Sequence, residues 1–133
     1  MLVDTNVFSL FMKKDTSRAA LYERHLQGRA LYVSFITVGE LYRWPFERAW
    51  GEEKKAELVQ RLRSYTVLPF DDALAWVWAE LYFNMKRMNK QMPWPDSWIA
   101  ATALRHNMPL VTENRKDFEH VPNLNLISEQ PKK

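Results

Sequence analysis

The tightest constraint on this chain is a rhythm: short, almost wholly apolar runs alternate with longer segments whose apolar residues recur at helical spacing. Leu2 to Asp4, "LYVSF" from Leu31 to Phe35, "YTVLPF" from Tyr65 to Phe70, "MPLVT" from Met108 to Thr112 and "LNLIS" from Leu124 to Ser128 have the length and residue types of strands. Between them, Leu58, Val59, Leu62 and Tyr65 share one helical face, as do Leu74, Val77, Trp78, Leu81, Met85 and Met88. Asp15 to Ser17 opens a helix carrying Ala20, Leu21 and Leu26; "PWPDSW", with two prolines and Asp96 at the cap, opens another carrying Ile99, Ala100, Ala103 and Leu104. A strand that is apolar at nearly every residue must be covered on both faces. The expected class is therefore α/β: a central, mostly parallel sheet of about five short strands flanked by helices.

At 133 residues the chain is the size of one domain, 1–133, with "EQPKK" at about 129–133 expected to fray. No stretch approaches the ~20 apolar residues of a membrane span; the most apolar, "ALAWVWAELYF", contains Glu80. No basic segment and apolar run precede Asp4, so a cytoplasmic protein is expected. There is no cysteine and only three histidines, His25, His106 and His120, which argues against thiolate and zinc chemistry and leaves a hard cation on oxygen ligands as the expected metal class. The formal net charge of +3 tilts the chain mildly towards a polyanionic partner.

The polar residues that interrupt the rhythm fall at equivalent places. Asp4 ends the first run, Glu40 follows the second in "SFITVGELY", Asp96 starts the helix after "PWP", and Asn114 and Asp117 follow "LVT". In an open α/β sheet, the carboxyl ends of the strands are where loops and helix N-termini converge on a ligand. Four carboxylates gathered there would repel one another unless a cation sits among them. Mg²⁺ or Mn²⁺ is suited to such a set, and carboxylate-held Mg²⁺ is suited to phosphodiester hydrolysis. Each acid also has a plainer reading. Asp4 and Asp96 are good helix N-caps, "TVGE" from Thr37 to Glu40 has the form of a capping box, and Asp117 could open a surface turn. Spacing leaves both readings open.

Taken together, "VDTNVFS", "SFITVGELYRW", "PDSWIAATALRHNMPLVTENRKDF" and "PNLNLI" resemble the PIN-domain family, and within it the VapC toxins of bacterial toxin–antitoxin pairs. The resemblance spans nearly the whole chain in order. It implies a PIN fold and an endoribonuclease dependent on Mg²⁺ or Mn²⁺, commonly a homodimer that a VapB-like antitoxin inhibits. It implies catalytic roles for Asp4, Glu40, Asp96 and Asp117, with Asp4 and Asp96 on the metal. Thr5, Asn6, Thr112 and Asn114 would support them. Asn114 stands where many PIN domains have an acid, which shifts the fourth acidic role to Asp117.

Lys86, Arg87 and Lys90, interleaved with methionines before Asp96, read as a solvated helix end or as a guide for RNA phosphates. Arg43 reads as a surface ion pair or a contact to RNA or antitoxin. Trp44, Phe46 and Trp50, crowded around Pro45, read first as core and second as an antitoxin groove. His106 reads as a cation at a helix end. Among other classes, a haloacid-dehalogenase-type phosphatase needs an acid where Asn6 stands, and a receiver domain needs an acidic pair and a late lysine that the chain lacks in order. A catalytically silent PIN binding module and a housekeeping RNA-processing PIN nuclease remain the alternatives.

Overall fold

The computed structural model describes residues 1–13 and 17–130. Five parallel strands form one sheet: β1 (Leu2–Val3), β2 (Tyr32–Ser34), β3 (Thr66–Leu68), β4 (Leu110–Val111) and β5 (Leu126–Ile127), in the order β3-β2-β1-β4-β5. Among the described residues seven helices flank it: α1 (Thr5–Met12), α2 (Ser17–Leu26), α3 (Phe35–Glu47), α4 (Glu52–Leu62), α5 (Asp72–Arg87), α6 (Trp94–Arg105) and α7 (Arg115–Phe118). Successive residues of a strand face opposite sides, and both sides are sealed. Leu2 and Leu110 join a core built with Leu74, Leu81, Ile99 and Phe118, whereas Val3 and Val111 join one built with Val7, Phe8, Tyr22, Leu41 and Leu58.

The strand order places the site. The chain lays down β1, β2 and β3 in one direction, then returns to the other side of β1 for β4 and β5. Connections diverge between β1 and β4, and the crevice beyond their carboxyl ends is the expected ligand position. The two strands part just there: the Asp4 N–H donates to the Val111 carbonyl at 2.9 Å, and the next residues turn away into α1 and the loop before α7.

All five expected strands form, each shorter than its apolar run. Phe35 leaves β2 to begin α3 because Ser34 caps that helix, its Oγ accepting from the Ile36 N–H at 3.2 Å. Tyr65 falls beyond the end of α4, yet its ring still packs on Phe8 with centroids 5.2 Å apart. Met88 is the residue after α5 rather than part of it. Pro45 does not interrupt α3 but lies in its last turn, where a missing N–H costs one hydrogen bond and the helix ends two residues later. The expected helix start at Asp15 lies outside the described residues, and so do the last three residues of the tail. Glu129 and Gln130 both take part in hydrogen bonds to the body of the domain. The Glu129 N–H donates to the Tyr22 hydroxyl at 3.0 Å, and Arg115 donates to the Gln130 carbonyl at 2.8 Å. Among the described residues no helix is long and apolar enough to cross a membrane.

Candidate functional site

Asp4 is the hub. It caps α1 from the end of β1 and is almost completely buried. Its Oδ1 accepts from the Thr5 N–H and its Oδ2 from the Thr112 hydroxyl, both at 2.7 Å, so the carboxylate spans the gap between β1 and β4. The cap reading of Asp4 holds, and the same carboxylate also meets Thr112 on the far side of the gap. Burial raises its pKa from 3.8 to about 6, against the two hydrogen bonds, and the charges of Glu40 and Asp117 add to the rise.

Thr5 carries the connection onward. Its Oγ1 lies 2.7 Å from Glu40 Oε1 and 3.0 Å from Thr37 Oγ1, so it gives its one proton to the carboxylate and accepts from Thr37. The capping-box reading of Thr37 and Glu40 is overturned: Thr37 is inside α3, whose N-cap is Ser34, and Glu40 lies a further turn on, with its carboxylate turned to Thr5. Asp96 is likewise not the cap of α6. Pro93 holds that position, Trp94 and Pro95 begin the helix, and Asp96 falls in the first turn. Desolvation there, followed by the charges of Asp4, Asp117 and Glu40, raises its pKa from 3.8 to about 7. Asp117, on α7, is the neighbour it shares with Asp4, and its charge adds to the rise at both.

The remaining supports come from the β4–α7 loop. Thr112 is buried and accepts from the Asn114 N–H at 3.0 Å while donating to Asp4. The Glu113 N–H donates to Asn6 Oδ1 at 3.1 Å. Asn114 is exposed and enters the arrangement through its backbone, whereas Asp117 is the residue whose charge reaches Asp4 and Asp96. Sequence reasoning passed over Glu113. Its carboxylate takes bonds from Arg18 and from the Tyr22 hydroxyl, which overcome burial and hold its pKa below the usual range, and these bonds pin the loop from the far side. Only an apolar helix pattern around Tyr22 was visible, and 91 residues separate the two partners.

The outlying candidates do not join this cluster. Arg43 is exposed on α3 and pairs with Glu47. Lys86, Arg87 and Lys90 are exposed around the end of α5. His106 is the residue at the carboxyl end of α6. The first reading of "RWPFERAW" as core fails for Phe46, which is 82% exposed because it falls on the outer side of α3. Trp44 and Trp50 are half-buried, edge to face with centroids 6.2 Å apart, and Arg48 lies 4.5 Å over the Trp44 ring. They line a groove of about 780 Å³ with Phe11, Met12 and Lys54.

The donor set of Asp4, Glu40, Asp96 and Asp117 is all oxygen. Among the described residues, none of the four forms an ion pair with Lys, Arg or His. Nor are three His, Asp or Glu side chains closed around one point there. The four are close enough to repel but remain an open cluster. Asp4 and Asp96, as uncompensated oxygen donors, are the residues of this set that could hold a hard divalent cation.

The model of the PIN domain family matches residues 1–124. The chain is 32% identical over 132 residues to ribonuclease VapC4 of Mycobacterium tuberculosis, covering 96% of this chain and 95% of that one. It is 30% identical over 126 residues to toxin FitB of Neisseria gonorrhoeae, covering 89% and 90%. The fold matches the crystal structure of VapBC2 from Rickettsia felis bound to a DNA fragment from their promoter, with a TM-score of 0.86 at 23% identity over 97% of this chain and 98% of that one.

Proposed function

Because the chain belongs to the PIN-domain family, we propose that it is a Mg²⁺- or Mn²⁺-dependent endoribonuclease, the toxin of a VapBC-type toxin–antitoxin pair acting in the cytoplasm. The observation that carries this reading is the convergence of Asp4, Glu40, Asp96 and Asp117 beyond the β1–β4 switch point with no cationic partner among the described residues. A divalent ion held by Asp4 and Asp96 would supply a water of lowered pKa and neutralise charge on the leaving oxygen.

The chain's own residues prepare for that chemistry. Thr5 and Thr112 aim the two oxygens of Asp4, so that its orientation is set before any ligand arrives. The Thr5 hydroxyl orients Glu40, and the mutual repulsion of Asp4, Glu40, Asp96 and Asp117 is what a bound cation would relieve. Asn6 ties the β4–α7 loop to α1, so the two halves of the site keep their spacing. Glu40 and Asp117 are the carboxylates available to orient or deprotonate water.

A VapB-like antitoxin and a second copy of the chain are the proposed protein partners, with the Trp44–Trp50 groove and the neighbouring Arg43 as the antitoxin's surface. The test is cleavage of single-stranded RNA with Mg²⁺ or Mn²⁺ against the same reaction in EDTA. Asp4→Asn and Asp96→Asn should each lower the rate about a hundredfold. Either variant retaining more than about a tenth of the activity would sink the assignment. Expression should arrest bacterial growth, and co-expression of the antitoxin should relieve it. Soluble, RNA-cleaving protein that leaves growth untouched would favour the RNA-processing nuclease instead.

A further inference from the structure

Four aromatic rings stack between α5 and the start of α6, apart from the carboxylates. Trp78 and Trp98 are nearly parallel, with centroids 4.7 Å apart and planes 7° apart. Trp94 stacks on Trp78 at 5.1 Å and on Tyr82 at 5.9 Å. The Trp78 indole N–H donates to Ser97 Oγ at 2.9 Å and that hydroxyl donates to the Trp94 carbonyl at 2.7 Å, which locks the central ring. The outer members stay open to solvent: Trp94 is 61% exposed and Tyr82 44%. Beside them a cleft of about 110 Å³ has Lys86 and Gln91 on its wall.

Lys86 lines the cleft beside this stack, and Arg87 and Lys90 follow at the end of α5 and just beyond it. None of the three has an ion-pair partner among the described residues, and Arg87 lies 5.3 Å over the Phe83 ring. Trp94 and Asp96 share the first turn of α6. Two residues turn a helix by about 200°, so ring and carboxylate leave opposite sides of a cylinder about 10 Å across. Whatever rests on Trp94 lies beside the acidic cluster, not in it. An apolar protein partner covering this surface would have to desolvate three unpaired cations, whereas a polynucleotide brings bases for the rings and phosphates for the charges.

We propose that the stack capped by Trp94 is a docking platform for one unpaired base of single-stranded RNA, from a nucleotide flanking the scissile bond, with Lys86, Arg87 and Lys90 on the adjoining phosphates. This rests on the nuclease reading above and deepens it. Gln91, with both a donor and an acceptor on its amide, is placed to read the edge of that base.

The test is fluorescence anisotropy of a labelled single-stranded 2′-O-methyl RNA of about eight nucleotides, in EDTA, with the full chain. Trp94→Ala should weaken binding about tenfold or more, and Trp94→Phe should restore much of it. A probe with an abasic residue at the stacked position should bind wild type and Trp94→Ala alike. Replacing Lys86 and Lys90 together by Ala should lower the slope of log affinity against log salt by about 1.4. Trp76, 73% exposed on α5 outside the stack, is the control. Equal binding by wild type and Trp94→Ala, or an equal loss with Trp76→Ala, overturns the proposal. A Trp94→Ala variant with altered oligomeric mass and unaltered affinity overturns it too, assigning the surface to a second copy. Should Trp94→Ala not fold, photocrosslinking of wild type to a 5-iodouridine probe decides: adducts on the peptide bearing Trp94 or Tyr82 support the platform, and adducts only elsewhere overturn it. Wild type that binds through Trp94 but cleaves no RNA with Mg²⁺ or Mn²⁺ would end the nuclease reading and leave the platform standing.

Discussion

Replacing Asp96 by Asn tests the carboxylate cluster through the stability of the metal-free protein, with no substrate involved. Burial and the charges of Asp4, Asp117 and Glu40 raise the Asp96 pKa from 3.8 to about 7. Each pKa unit is about 1.4 kcal/mol, so the native state disfavours ionised Asp96 by at most about 4 kcal/mol relative to the unfolded chain. Solvent reaches this half-buried group and screens the repulsion, which leaves about 1–2 kcal/mol. Asn forgoes the attraction of a first-turn carboxylate for the helix N-terminus, about 0.5 kcal/mol in the opposite sense. The net gain in EDTA at pH 8 is about 1 kcal/mol, a rise in melting temperature of about 3–5 °C. The sign follows from proton uptake. Between pH 3.8 and about 7 the folded protein binds the proton that the unfolded chain has lost, so the stability of metal-free wild type falls as pH rises through that window. The advantage of Asp96→Asn should therefore vanish near pH 4 and reach its full size above pH 7. Mg²⁺ at ten times its Kd should add about 1.4 kcal/mol to wild type and much less to the variant. Scanning calorimetry at pH 4.5 and pH 8, with EDTA and with Mg²⁺, yields the four curves. Parallel curves for the two proteins at every pH and metal condition would refute the shared site.

Thr112→Val removes the hydroxyl that holds Asp4 Oδ2 and raises the Asp4 pKa further, so metal affinity measured by calorimetric titration should fall about tenfold at pH 6.5 and less at pH 8. Unchanged affinity at both would show that Thr112 does not orient Asp4. Leu58→Ala should cost about 2–5 kcal/mol in urea unfolding, because Leu58 is fully buried beneath the sheet. Val59→Ala, next to it on α4 but 37% exposed, should cost about 1 kcal/mol or less, and similar losses would contradict the two-sided core. Trp44→Ala should raise the antitoxin dose needed to restore growth, since it opens the indole pair lining the groove; an unchanged dose would return those aromatics to fold packing.

The apolar runs and helical periods determined the class of fold by themselves, because a strand with no polar face has only one way to be buried. They also marked Asp4, Glu40, Asp96 and Asp117, since acids that break an apolar rhythm at strand ends stand out from one-dimensional pattern alone. What those acids meet was decided in three dimensions. Thr112 reaches Asp4 across 108 residues and Thr5 reaches Glu40 across 35, and no local spacing encodes either bond. The capping-box motif from Thr37 to Glu40 misled for a related reason: Ser34, at the end of β2, begins the helix earlier and frees Glu40 to turn inward. Glu113 shows the same limit, a residue that looks like a spacer in "TEN" until Arg18 and Tyr22 arrive from the other end of the chain. Local periodicity records which face of an element is buried, whereas partners across the sheet are fixed only when strand order closes the loops between them.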